Sequence, residues 1–427
     1  MNRIAPPRRG FSTRVCDRQN DGAIPTGWKP VPRPAVTAMA IFLVAFATIA
    51  FPRMTRAADA VPGIVIDHSP ASSGIYIGSP SIAILPDGSL VASHDEFGPK
   101  SSYYTHAVTR LFKSTDKGLT WQPLAVLHDA LWGNLFVHKS RLYWLGVRKE
   151  YGDLLIRRSD DGGKTWTDPR DAAHGLLAAG HFHTAPVPVV EHDGKLWRGV
   201  EDADGPPGWG ECFRARMMSV PVDADLLDAA NWTIASPLPG NPSWLDGKFG
   251  GWLEGNAVVA PDGSMIDMLR ADYVPAEGKA AIVKISPDGK TTSFDAAAGF
   301  VDFPAGGKKF TIRFDPVSKL YWTLGNIILP SDKNPDSGNT RNTIAILSSP
   351  DLKSWTTGPV ILHHDDRKHH GFHYLDWQFD GDDLVVVSRT AFDDGSGGAH
   401  SSHDANYLTF HRIESFRKLI PPVKAVP

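Results

Sequence analysis

Arginine, carboxylate, tyrosine and histidine side chains recur in this chain at the same kind of landmark: the start of an apolar alternating run, or the residues just after the next run. His94 and Asp95 occupy such a place, as do His183 and Glu201. Glu254, Asn256, Arg270 and Asp272 flank a third pair of runs, and His373, Tyr374, Arg389 and Asp393 a fourth. Gly78, Asn134, Arg148, Lys309 and Asn326 fall at matching positions. Arginine forks grip planar anions through paired N–H groups. Glutamate, aspartate, histidine and tyrosine move protons or attack carbon near neutral pH. Taken singly, a histidine is more often a satisfied structural residue or a solvated loop residue. Convergence from many segments is hard to explain as packing, and a binding cleft is the default reading. His94, His181, His183, His369, His370, His373 and His403 are expected at one rim, whereas Asp365 to His370 also reads as a solvated charge run.

Those positions have meaning because the chain repeats. An apolar alternating run, a tight turn and a second run appear as SIAILPDGSLVAS, NLFVHKSRLYWLGV and APVPVVEHDGKLWRGV. They return as NAVVAPDGSMIDML, FTIRFDPVSKLYWTL and YLDWQFDGDDLVVVS. The Asp and Gly residues of these turns tolerate positive φ, so each unit is a hairpin. A second hairpin lies between copies and carries S-x-D-x-G-x-T-W, intact at Ser114–Trp121 and Ser159–Trp166 and eroded at Ser286–Gly289 and Ser349–Trp355. Its serine and aspartate tie the turn's backbone and its tryptophan packs between sheets, a structural role. Two hairpins per unit make a four-stranded antiparallel blade, and about six units make an all-β, six-bladed propeller. Gly63 to Asp67 is expected to zip onto Asn406 to Ile413 and close the ring, with Trp121 and Trp166 buried at equivalent places.

These turns in a six-unit ring resemble the sialidase (neuraminidase) superfamily, and the resemblance covers everything after Pro62. It implies three arginines on a sugar carboxylate, a tyrosine nucleophile activated by a glutamate, and an acidic proton donor. Glu254, followed by Arg270, is similar to the family's glutamate and second arginine, and Arg341 to its third. The first arginine belongs just before Pro80-Ser81, where Gly78-Ser79 stands. The acid belongs between Gly98 and Ser114, which holds Tyr103 and Tyr104 but no carboxylate. The nucleophile aligns onto Phe372. The implied reading is a glycoside hydrolase acting on a terminal acidic sugar. Arg270, Arg341 and Arg389, with Asn256 and Glu201, would bind substrate. Glu254, His373, Tyr374, Asp95, His94 and His183 are the candidates for chemistry. Two rivals stand beside it: a lyase that cleaves uronate glycans with His and Tyr, and a glycan-binding propeller without catalysis, for which an aromatic platform would be expected.

Composition bounds these readings. The 427 residues carry a net charge of −3, which argues against nucleic acid as the main partner. No HExxH or Cys/His spacing points to a metal, and no cofactor is expected. The apolar run from Ala35 to Phe51, followed by Ala58-Asp59-Ala60, reads as a cleavable leader. Residues 1–60 are then an export segment and 61–427 the propeller, destined for the periplasm or the outside of the cell, with no membrane span in the mature chain. Of the two cysteines, Cys16 and Cys212, the first would be lost with the leader, leaving no internal disulfide.

Overall fold

A computed structural model describes residues 60–273, 278–332 and 337–420. Apart from one four-residue turn of helix at Trp244–Gly247 and short 3-10 turns, the described chain is all β. The strands form five antiparallel sheets in a propeller-like arrangement. Ser81–Ile84, Leu90–Phe97, Val108–Ser114 and Gln122–His128 make the first repeat, and each later repeat runs the same way from inside to outside. The second and third repeats share one nine-stranded sheet, because Phe182 pairs with Asp202 and His183 with Glu201 at its seam. Pro186 and Pro188 explain the irregular inner strand of the third repeat: without N–H groups they leave only Val190–His192 in the ladder. Ile64–His68 pairs with Tyr407–Ile413, so the last sheet holds the first and last strands of the described residues.

Packing joins the repeats into a ring. Ala83 and Val91 of the first meet Leu135 and Trp144 of the second, and Leu154 of the second meets Leu196 and Met218 of the third. Met217 meets Trp252, Met268 meets Ile312 and Leu347, and Leu324 meets Phe372 and Trp377. Val385 and Phe410 return to Ile82 and Leu90 of the first repeat. Burial falls from inside to outside: Phe249–Val259 is buried almost throughout, whereas Thr356–His363 is exposed along most of its length. Inner strands therefore bury their polar side chains as well, Asn134, Glu254, Asn256, His373 and Asp376 among them.

The serine–aspartate turns are built alike. Ser114 Oγ accepts from Gly118 N at 2.9 Å and donates to Asp116, which accepts from Thr120 N. Ser159, Gly163, Asp161 and Thr165 repeat this, and Ser349 with Asp351 repeats it around Leu352. Gly118 and Gly163 have φ of 91° and 98°; Leu352 takes that left-handed place at 67°, a strained substitute for glycine. Trp121, Trp166 and Trp355 each donate Nε1 to the carbonyl of this residue. Trp121 and Trp166 are half-buried rather than buried, because these turns sit at the outer strands of their repeats. Cys212 is buried beside Phe213 and Leu253; the other cysteine and the leader lie outside the described residues.

Candidate active site

Three non-glycine residues on inner strands have left-handed backbones: Trp132 at φ 51°, Glu254 at 61° and Tyr374 at 55°. Each sits where its strand slips register against the next, between Leu131 and Asn134, Leu253 and Asn256, and His373 and Asp376. A bulge of this kind re-aims a side chain, and all three side chains line one cavity of about 810 Å³. Non-glycine residues held there carry strain that persists only when the surroundings over-determine it. Behind each bulge a buried amide or carboxylate does so. Asn256 accepts from Ile312 N at 3.0 Å and donates to the Glu254 and Phe310 carbonyls. Asp376 accepts from Ser81 Oγ and Ile82 N, and Asn134 from Arg198.

Arginines enter the cavity in two settings, one of them paired with a carboxylate. Arg270 meets both oxygens of Glu254 at 3.2 Å, and the two side chains are 5% and 3% exposed. Its Nε donates to the Gly307 carbonyl, and Trp209 covers it with the ring centroid 5.8 Å away. Glu254 holds Arg270 protonated well above its ordinary value, outweighing burial. Arg341 and Arg389 flank the Tyr374 ring, with guanidinium carbons 5.7 and 5.1 Å from its centroid. Arg389 also lies 4.0 Å from the Phe97 ring and donates to the His403 carbonyl. Burial first, with Arg341 as a like charge, pulls Arg389 down to about 10, while Tyr374, Asp404 and Asp95 push the other way. This wall has the net positive character that an anion would neutralise.

Glu254, Tyr374, His183, Arg270, Arg341 and Arg389 line the cavity; His373, His94, Asp95, Asn256 and Glu201 do not. His373, expected to reach it, is sealed at 0% exposure behind Tyr374, because the bulge turns the next residue outward. Phe372, at the nucleophile's aligned position, is fully buried core, and Tyr374 presents the hydroxyl instead. His94 and Asp95 lie below the rim because their strand continues to Phe97, which forms the wall. His94 bonds Asp67 at 2.8 Å, and Asp95 accepts from Thr109 and from the Trp132 backbone. Glu201 is sealed under the Glu254 bulge, accepting from Gly255 N at 2.8 Å, and burial raises it to about 7. Of the seven rim histidines only His183 and His403 line the cavity, and burial holds both near 3, hence neutral. His181 pairs with Asp204 and His369 with Asp366 outside it, and His370 stacks on His364 at 3.6 Å.

Gly78 explains the missing first arginine. A Cβ there would stand 2.4 Å from the Asp95 carbonyl oxygen, so no side chain fits. Arg389 comes to the cavity from the sixth repeat. Sequence reasoning missed Glu150, which also lines the cavity, 9% exposed. Its signal was present: it lies just past the second strand of its repeat, close to where Glu201 and Asp272 end the second strands of theirs. Burial raises it to about 7 against hydrogen bonds from Trp132 and Tyr151. Among the described residues no group of three or more His, Cys, Asp or Glu side chains is arranged to hold a metal ion.

No family model matches the chain, and no curated protein matches it in sequence. Its fold is similar to several solved structures. An α-L-arabinanase of Penicillium chrysogenum, complexed with arabinobiose, is 14% identical with a TM-score of 0.54, over 84% of this chain and 99% of that one. A Trypanosoma rangeli sialidase in complex with sialic acid is 15% identical with a TM-score of 0.52, over 81% of this chain and 55% of that one. A leech intramolecular trans-sialidase with 2,7-anhydro-Neu5Ac is 13% identical with a TM-score of 0.53, over 84% of this chain and 71% of that one.

Proposed function

We propose that this chain is an exported six-bladed propeller, the shared sheet counting as two blades, that hydrolyses a glycosidic bond to a terminal sugar carrying a carboxylate. The observation that carries the reading is Tyr374, lifted into the cavity between Arg341 and Arg389, with the Glu254–Arg270 pair on the same cavity. The three arginines take the sugar's anion, Arg389 replacing the arginine that Gly78 excludes. Tyr374 Oη attacks the anomeric carbon while its proton passes to Glu254, and the leaving oxygen takes a proton from a carboxylic acid. Water then splits the tyrosyl–sugar bond, and Glu254 returns its proton to Tyr374. Sialidases and an arabinanase with the same fold support glycoside hydrolysis as the class of reaction. Elimination by histidine is less supported, since His373 is sealed from the cavity and His183 and His403 are poor bases at values near 3. The leader carries the export part of the reading, and among the described residues no helix is long and apolar enough to cross a membrane.

The test is incubation of the protein with sialylated oligosaccharides, uronate-containing glycans and neutral arabino-oligosaccharides. The assay follows both released monosaccharide and ultraviolet absorbance. Release of an acidic monosaccharide, lost in Tyr374→Phe, supports the reading. An unsaturated product, turnover of neutral substrate alone, or full activity in Tyr374→Phe overturns it.

A further inference from the structure

Hydrolysis needs a proton for the leaving oxygen, and the loop expected to supply it, between Gly98 and Ser114, brings Tyr103 and Tyr104 to the cavity but no carboxylate. The neighbouring repeat fills the gap. Glu150 N donates to the Tyr103 carbonyl at 2.9 Å, so this residue enters the cavity where that loop does. Its Oε2 accepts from Trp132 Nε1, while Oε1 faces His183 Nδ1 at 3.7 Å, an atom with no hydrogen-bond partner. Among the described residues Glu150 has no lysine or arginine ion pair, in contrast to Glu254 on Arg270. One cavity thus holds two glutamates in opposed surroundings, one paired with a cation and one against aromatic rings. That division separates an ionised from a protonated carboxyl.

Resting on the hydrolase reading above, we propose that Glu150 is the general acid of the first step and the general base of the second. Trp132 and Tyr151 hold the carboxyl in place, and its proton is the one transferred. It passes to the leaving oxygen as the anomeric C–O bond breaks, and the resulting carboxylate takes a proton from the water that cleaves the tyrosyl–sugar bond. The groups facing Glu150 are Tyr103 from the first repeat's loop, Trp132 and Tyr151 from its own repeat, His183 across the seam and Asp95 beneath. None supplies a cation, since His183 is held neutral by burial. The acid at about 7 is protonated below that pH, so kcat/KM falls on the alkaline side with a limb near pH 7.

The test compares Glu150→Gln with wild type on 4-methylumbelliferyl N-acetylneuraminide, whose leaving group needs little protonation, and on sialyllactose, whose leaving group needs much. Expected is a loss of about 10²–10⁴-fold on sialyllactose, a loss below about tenfold in bond cleavage of the aryl glycoside, and no alkaline limb near pH 7. Trp132→Phe, which removes a donor to the carboxylate, should keep the substrate contrast of wild type and move the limb upward. Equal losses on both substrates in Glu150→Gln, or an unchanged limb, overturn this assignment while leaving the hydrolase reading intact. A wild type that releases no acidic monosaccharide from sialosides or from uronate-containing glycans removes both.

Discussion

Replacing Arg270 with alanine separates the site's two uses of that residue. In the folded protein Arg270 and Glu254 are 5% and 3% exposed and meet at 3.2 Å, so the substitution strands a buried carboxylate. Breaking such a pair from one side costs about 3–5 kcal/mol. Unfolding entropy of roughly 2.1 cal/mol/K per residue over about 360 folded residues turns this into a Tm drop of about 4–7 °C. In the proposed reaction Arg270 also holds the sugar's anion, so transition-state binding weakens by about 2–5 kcal/mol, or roughly 30- to 5000-fold in kcat/KM. The double variant Glu254→Gln/Arg270→Ala removes both charges and should recover most of the Tm, since a neutral replacement of a buried pair is often tolerated. It should recover none of the turnover. Thermal melts and steady-state kinetics on the acidic substrate read both effects. Arg270→Ala melting within a degree of wild type with unchanged turnover refutes the role of the pair, and a double variant as active as wild type refutes its chemistry.

Glu201 is held near 7 by burial, above its ordinary 4.5, so the folded chain keeps a proton that the unfolded chain releases between those values. Stability therefore falls as pH rises through that window, and Glu201→Gln should remove a loss on the order of 3 kcal/mol between pH 4.5 and 8; parallel wild-type and variant melting curves across this range refute it. Gly78→Ala places a Cβ 2.4 Å from the Asp95 carbonyl and should lower stability by about 1–3 kcal/mol, whereas an unchanged melt would show that the first repeat has room for an arginine there. Arg389→Ala should raise KM for an acidic glycoside at least tenfold and leave any neutral glycoside unaffected, which paired kinetics on the two substrates will show.

What was legible in the sequence follows the range of the physics. Hairpin turns are local, so Pro-Asp-Gly and Asp-Gly-Asp between alternating runs disclose the repeats, and the strand after Gly63 disclosed the closure with Tyr407–Ile413. Glu254, Arg270 and Arg341 were readable because fixed spacings tie them to those turns. Tyr374 and His373 were not distinguishable, since a one-residue bulge exchanges the faces of a strand and the left-handed residue is not the glycine that would announce it. Asp95 was placed at the rim because the end of its strand was read four residues early, at Ser93 instead of Phe97. Gly78 carries no sequence mark of the Asp95 carbonyl above it, a contact that forms only when two strands pair.

The bulges and the closure of the ring are one device, and Asn256 tests it. Each residue that backs a bulge also binds the next repeat: Asn134 holds Arg198 of the third, Asn256 spans Phe310 to Ile312 of the fifth, and Asp376 binds Ser81 and Ile82 of the first. The left-handed backbones cost about 1–3 kcal/mol each, a strain tolerable because the bonds that impose it also join neighbouring sheets. Asn256→Asp keeps the acceptor for Ile312 N but turns a carboxylate toward the Glu254 and Phe310 carbonyls, which lose their donor. Asn256→Ala removes all three bonds and leaves buried groups unmet at about 1–3 kcal/mol apiece. Both variants should lower the Tm and reduce kcat more than they raise KM, because Glu254 loses its aim while the arginines keep theirs. Asn256→Asp should fall well short of wild type despite differing by a single atom. An Asn256→Asp protein with wild-type Tm and kcat would mean that the bulge stands without its backing residue, and that the strain and the joining of repeats are unrelated.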